Sequence, residues 1–206
     1  MGKTRTGQKY QPKDAVYHQA KERGFVARSA LKLEELDKKH RLYRKGMKIL
    51  DLGCAPGSWL QYASPKVGPS GQLLGIDLDP VRVDLKNVKT VIGDLLELTP
   101  QSDLFSGLLP FDLIQSDAMV KTSGIAESDC ARSVALVEHG LRLAESGVLV
   151  LGGTFIAKVF EGPGFTPFYV EFKRKFKKAS VNKPDSIRSG SREVYIVGQE
   201  FRKLVT

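Results

Sequence analysis

Asp51-Leu52-Gly53-Cys54-Ala55-Pro56-Gly57-Ser58-Trp59 follows the apolar run that begins at Met47, and together they read as a buried strand entering a ligand-binding turn. Gly53 and Gly57 give the backbone the range a sharp strand-to-helix turn requires and leave room for close approach of a ligand. Further on, Gly75-Ile76-Asp77 ends a second apolar run in a carboxylate. Open α/β sheets put the acid that receives hydrogen bonds from a ribose at that position. A nucleoside cofactor is the expected ligand.

The turn reads D-x-G-x-x-P-G rather than the G-x-G-x-x-G of dinucleotide folds. Pro56 removes an amide donor, and Asp51 is expected to put negative charge where a pyrophosphate would be repelled. A cofactor with positive charge suits the turn better, and S-adenosylmethionine, with its sulfonium and ammonium groups, meets that description. An NAD-dependent oxidoreductase is the more distant alternative. Gly53, Ala55, Gly57 and Trp59 are the candidate contacts of the turn, joined by Asp77 and by Asp94, which ends the run Val91-Ile92-Gly93.

Outward from the turn, strands and helices alternate. Strands are expected at 47–52, 72–77, 88–92, 111–116 and 148–159, with two more near 179–183 and 193–198. Helices are expected at 57–67, 127–145 and 165–178, a short one near 101–107, and one within 27–40 for which Ser29 is the cap. Such alternation predicts a mainly parallel sheet covered on both faces. Residues 1–24 read as a basic flexible arm and 25–206 as one domain, a size that 206 residues with 41% apolar content can fill. No apolar stretch approaches the roughly 20 residues that cross a bilayer. A cytoplasmic monomer is expected, with Cys54 and Cys130 reduced and no metal site.

The net charge of +9 is unevenly spread. Residues 1–50 hold 14 Lys/Arg against 5 Asp/Glu, 51–172 hold 8 against 15, and 173–192 hold 8 against 1. If the two basic ends converge they form a surface for a polyanion beside an acidic body.

Four ionisable residues fall where the pattern predicts burial. Lys32 interrupts the apolar face of the first helix, Asp117 ends Leu113-Ile114-Gln115-Ser116, Lys158 lies inside Phe155 to Phe160, and Glu193 opens Val194-Tyr195-Ile196-Val197. Burial and a neighbouring cation lower a lysine pKa from about 10.4, which makes Lys158 a candidate general base.

With Ser29 to Leu33, Asp51 to Trp59, Gly93-Asp94, Lys183 to Ser186 and Ser191 to Tyr195, these segments resemble the FtsJ-type ribosomal RNA 2′-O-ribose methyltransferase family over Arg23 to Val197. The resemblance implies a Rossmann-like S-adenosylmethionine-dependent methyltransferase fold, with a mostly parallel seven-stranded sheet and an antiparallel strand near the C-terminus. It implies a catalytic tetrad of Lys32, Asp117, Lys158 and Glu193, and cofactor contacts from Gly57, Trp59, Asp77, Asp94 and Asp117. Its implied substrate is large-subunit ribosomal RNA, on the ribosomal particle. Transfer RNA or an RNA cap is the alternative substrate, and an RNA-binding assembly factor with little catalysis the alternative class. One segment departs: the family usually reads Met-Ala-Pro-Asn after its aspartate, whereas this chain has Ala118-Met119-Val120-Lys121.

Overall fold

A computed structural model describes residues 15–119, 122–188 and 190–202. Its centre is a seven-stranded sheet: β1 (Lys48–Leu52), β2 (Gln72–Asp77), β3 (Val88–Ile92), β4 (Phe111–Ser116), β5 (Leu149–Phe160), β6 (Phe176–Asn182) and β7 (Glu193–Phe201). Their spatial order is β3-β2-β1-β4-β5-β7-β6. The pairs β1–β2, β2–β3, β1–β4 and β4–β5 are parallel, while β7 runs antiparallel to both neighbours. The order reverses direction at β1, between β2 and β4, so the crevice beyond the carboxyl end of β1 is where such a sheet binds ligands.

Side chains of the inner strands alternate between two apolar layers, as the period of two along a strand requires. Leu50, Ile114, Phe155, Ala157, Val159, Val194 and Ile196 join the layer covered by α4 (Ala126–Leu143) and α5 (Phe165–Arg174). Ile49, Leu113, Ile156, Tyr195 and Val197 join the layer covered by α2 (Ser29–His40) and α3 (Ser58–Val67). By the same alternation Asp51, Gln115, Lys158 and Glu193 belong to the α2/α3 side. The polar residues of interest are thus gathered on one face of the sheet, beneath the helix that carries Lys32.

Four elements depart from the sequence reading. A further helix, α1 (Ala15–Glu22), occupies part of the segment read as an arm, and residues 1–14 lie outside the described residues. Ser29 does not cap α2; its hydroxyl meets that of Ser58 at 2.7 Å. The helix expected at 165–178 stops at Arg174, because Phe176 is taken into the sheet opposite Phe201. Phe168, Phe172 and Phe176 continue a helical stripe in sequence, but the Phe176 ring finds its packing against Phe172 and Phe201, with centroids 4.7 and 5.4 Å away. Gly198 makes room for it, since a Cβ there would lie 2.5 Å from the ring. The helix expected near 101–107 is a single 3₁₀ turn, Asp103–Phe105.

Candidate active site

Gly53 leaves β1 with φ +74°, and a Cβ at this position would meet the Ala118 Cβ at 2.4 Å and its Cα at 2.6 Å. The exits of β1 and β4 therefore touch where only glycine fits. Gly57 has φ +108° and lies against Val81 and Val83. Beyond these turns is a cavity of about 620 Å³ whose lining includes Gly53, Ala55, Asp77, Asp94, Asp117 and the apolar Leu78, Leu95, Leu96 and Leu136. Five of the seven expected cofactor contacts thus line one cavity. Gly57 and Trp59 do not: the Trp59 ring is buried against Tyr195, and its indole N–H donates to the Ser29 carbonyl at 3.1 Å.

The acids of the cavity already serve the local backbone. Asp77 accepts from the amides of Ala55 at 2.8 Å and Asp79 at 2.9 Å, and Asp94 caps the following turn by accepting from the Leu96 amide at 2.9 Å. An ionised carboxylate has about four acceptor sites, so these bonds leave capacity for a ligand.

Asp51 is different. It is fully buried, its Oδ2 accepts from Gln115 at 3.0 Å, and Tyr43 donates to Gln115 at 2.6 Å behind it. Burial, opposed by the Gln115 bond and reinforced by Asp117 and Asp77, pushes its carboxyl up to about 8. Asp51 is therefore mainly neutral at pH 7 and does not present the charge inferred from the sequence. The negative charge facing the cavity comes from Asp77, Asp94 and Asp117. Cys54, beside the turn, is also buried, which raises its thiol above the ordinary range and leaves it as packing.

The four ionisable residues converge. Lys158 donates to the Asp117 carbonyl at 2.6 Å and pairs with the Asp117 carboxylate at 3.1 Å. Lys32 pairs with Glu193, and both are buried. Tyr195 connects the two pairs, its hydroxyl lying 2.8 Å from Asp117 Oδ1 and 2.8 Å from Glu193 Oε1. Burial, with the two carboxylates, pushes the Tyr195 ionisation well above the ordinary phenol value, so the hydroxyl stays a donor. The sequence reading did not single out Tyr195. Its signal was the alternation Glu193-Val194-Tyr195, which puts the ring on the face of Glu193 and directly opposite Lys158 in the β5–β7 ladder. A tyrosine buried there must find a partner for its hydroxyl.

The basic segments converge only in part. Lys38 and Lys39 of α2 and Lys183 after β6 line one groove of about 360 Å³ with Glu35 and Asp185. Glu35 fixes the β6–β7 connection by accepting from the amides of Asp185 and Ser186. Arg174, Lys177 and Lys178 instead pair with Glu171 and Glu200 on α5 and the outer strands. Phe25 packs on Tyr62 beneath the Arg23 guanidinium, whereas Tyr17 is half exposed. Lys3, Arg5, Lys9, Lys13, Val120 and Lys121 lie outside the described residues.

Residues 25–201 match the family model described as FtsJ-like methyltransferase. The chain is 45% identical over 187 residues to the ribosomal RNA large subunit methyltransferase E of Desulfatibacillum aliphaticivorans, covering 90% of this chain and 89% of that one. Against the protein of the same name from Bdellovibrio bacteriovorus it is 43% identical, with 92% and 97% covered. Its fold is similar to the crystal structure of a putative ribosomal RNA methyltransferase from Plasmodium falciparum, with TM-score 0.76 and 29% identity over 86% of this chain and 98% of that one. The sheet order, the cavity at its crevice and these matches agree: the chain belongs to the FtsJ-like methyltransferase family.

Proposed function

We propose that the protein methylates a ribose 2′-hydroxyl of large-subunit ribosomal RNA in the cytoplasm, acting as a monomer with S-adenosylmethionine as donor. The observation that carries this reading is the connected chain Lys158–Asp117–Tyr195–Glu193–Lys32 beside an acid-lined cavity. The names of its relatives supply the substrate class. The cavity residues suit the donor: Asp77 for the ribose hydroxyls, Asp94 for the adenine amino group, Asp117 for the charged end, and the leucines for the purine faces. The donor supplies an electrophilic methyl on a sulfonium and leaves as a neutral thioether.

A 2′-hydroxyl attacks weakly while it keeps its proton. Lys158, with Nζ in its neutral amine form, would take that proton as the hydroxyl oxygen attacks the methyl of the bound donor. Asp117 then holds the resulting ammonium through its carboxylate and carbonyl. Lys32, oriented by Glu193, directs a donor at the attacking oxygen. Tyr195 spaces the two carboxylates and so fixes the separation of the two lysines. Holding the attacking hydroxyl in line with the methyl of a bound donor would contribute much of the rate, because displacement gains strongly from positioning.

Labelled methyl transfer to undermethylated large subunits, free ribosomal RNA and transfer RNA tests this reading, with the modified nucleotide mapped. Transfer to a ribose of the large subunit is expected. Label found only in transfer RNA would overturn the substrate, and label on a base would overturn the reaction.

A further inference from the structure

Asp129, in the first turns of α4, is almost completely buried although it is charged. Its Oδ1 accepts from the Ser123 amide at 2.7 Å, the Ser123 hydroxyl at 2.9 Å and Arg132 at 2.7 Å, while an Arg192 nitrogen lies 4.0 Å from Oδ2. Arg192 also donates to the Ala126 carbonyl at 2.7 Å, and its guanidinium lies over the Phe160 ring at 5.8 Å. One carboxylate thus draws together the β4–α4 loop, α4 and the residue preceding Glu193. Both arginine side chains remain about 40% exposed, at 42% for Arg132 and 40% for Arg192.

Two arginines around one carboxylate leave a net positive charge. A guanidinium has five N–H donors. Among the described residues, the contacts above engage one terminal nitrogen of Arg132 and two of Arg192. The cluster also adjoins the chemistry. Phe160, beneath Arg192, is two residues beyond Lys158 on β5, and Phe160 and Ser133, next to Arg132, line one small cavity with Lys158 and Met119.

We propose that Arg132 and Arg192, held in register by Asp129, form the binding site for the RNA phosphodiester adjoining the reactive ribose. The site rests on the reading of the protein as an RNA 2′-O-methyltransferase and gives that reaction a fixed point on the backbone. A ribose whose hydroxyl meets Lys158 has its neighbouring phosphate beside the strand end, where the two guanidinium groups offer paired donors of the kind that match phosphate oxygens. Such a contact positions the substrate without selecting its sequence. Asp129 is a positioning residue: it orders the two long side chains before RNA arrives.

The test is the salt dependence of binding to a single-stranded RNA fragment that the wild-type protein methylates, compared with Arg132→Gln and Arg192→Gln. Each variant is expected to bind RNA about tenfold more weakly at low salt. Each should also lower the slope of log affinity against log salt by roughly 0.7. Cofactor affinity should stay within twofold, and Arg192→Lys should restore the slope. Unchanged slopes in both glutamine variants, with methylation intact in the wild type, overturn the arginine site and leave the reaction standing. Wild-type protein that methylates no RNA offered, undermethylated large subunits included, removes both readings. Should a glutamine variant lose cofactor binding through misfolding, arginine-selective modification of the wild type decides: protection of Arg132 and Arg192 by bound RNA supports the site, and equal modification with and without RNA overturns it.

Discussion

Lys158 has two oxygens of Asp117 within reach, and replacing it by alanine removes the proposed proton acceptor while leaving Asp117 its bond from Tyr195. Lys158 does not line the large cavity. Lys158→Ala should therefore lower turnover by about 10²–10⁴ with cofactor binding nearly unchanged, as calorimetry beside a methyl-transfer assay would report. Normal turnover would remove Lys158 from the mechanism. Asp51 gives a pH effect of determinate sign. Its carboxyl is raised to about 8 in the folded chain and titrates near 3.9 when unfolded. Its stabilisation is present in full below about pH 4 and is lost as pH rises to about 8, because the unfolded state ionises first. Urea unfolding between pH 5 and 8 should show the wild type losing up to about 1.4 kcal/mol per pH unit more than Asp51→Asn; parallel pH profiles would refute this. Lys158 was legible in sequence because a lysine inside an apolar run stands out. The state of Asp51 was not, since the same letters describe a carboxylate at a cavity wall or one sealed beneath the turn by Gln115 and Tyr43.

At the level of elements, the exit of β1 depends on a contact that only glycine permits. Gly53→Ala would combine a strained positive φ with a Cβ 2.6 Å from the Ala118 backbone, so the β4 exit must shift. A loss of about 1–3 kcal/mol in stability is expected, with at least tenfold weaker cofactor binding, because Ala118 and Asp117 line the same cavity. Thermal melts and cofactor titration check both; a variant that matches the wild type in each would show that the approach of β1 to β4 is dispensable. Strands such as 72–77, 88–92 and 111–116 were readable to the residue because short stretches holding paired apolar residues (Leu73-Leu74, Val91-Ile92, Leu113-Ile114) ended in glycines or acids. The boundary between α5 and β6 was not. The stripe Phe168, Phe172, Phe176 has helical spacing, and only the distant partners Phe201 and Gly198 turn its last member into a strand. Tyr195 was hidden for a related reason, since its importance lies in what faces it across two ladders rather than in its own neighbours.

Across the whole molecule, the two basic segments make different surfaces. Lys38, Lys39 and Lys183 share a groove, and the connection beside it leads to Glu193. Lys177 and Lys178 share one carboxylate, Glu200, near the outer edge of the sheet, and in the groove Lys38 pairs with Glu34 at 3.4 Å. Lys38→Glu with Lys39→Glu should weaken RNA binding about tenfold or more and flatten its salt dependence. Lys177→Ala with Lys178→Ala should change it less than twofold. Filter binding across a salt series compares the pairs, and equal effects would contradict the division. The charge asymmetry was plain in the sequence, but its separation into a groove and an outer edge of the sheet required the fold. The insertion of β7 between β5 and β6 has a consequence for the site. The acid paired with Lys32 lies 161 positions later in the chain, on β7. Glu193 and Tyr195 therefore come later in the chain than β1, β2 and β4, whose ends border the crevice. The Lys32–Glu193 pair thus exists only once β7 has entered the sheet between β5 and β6.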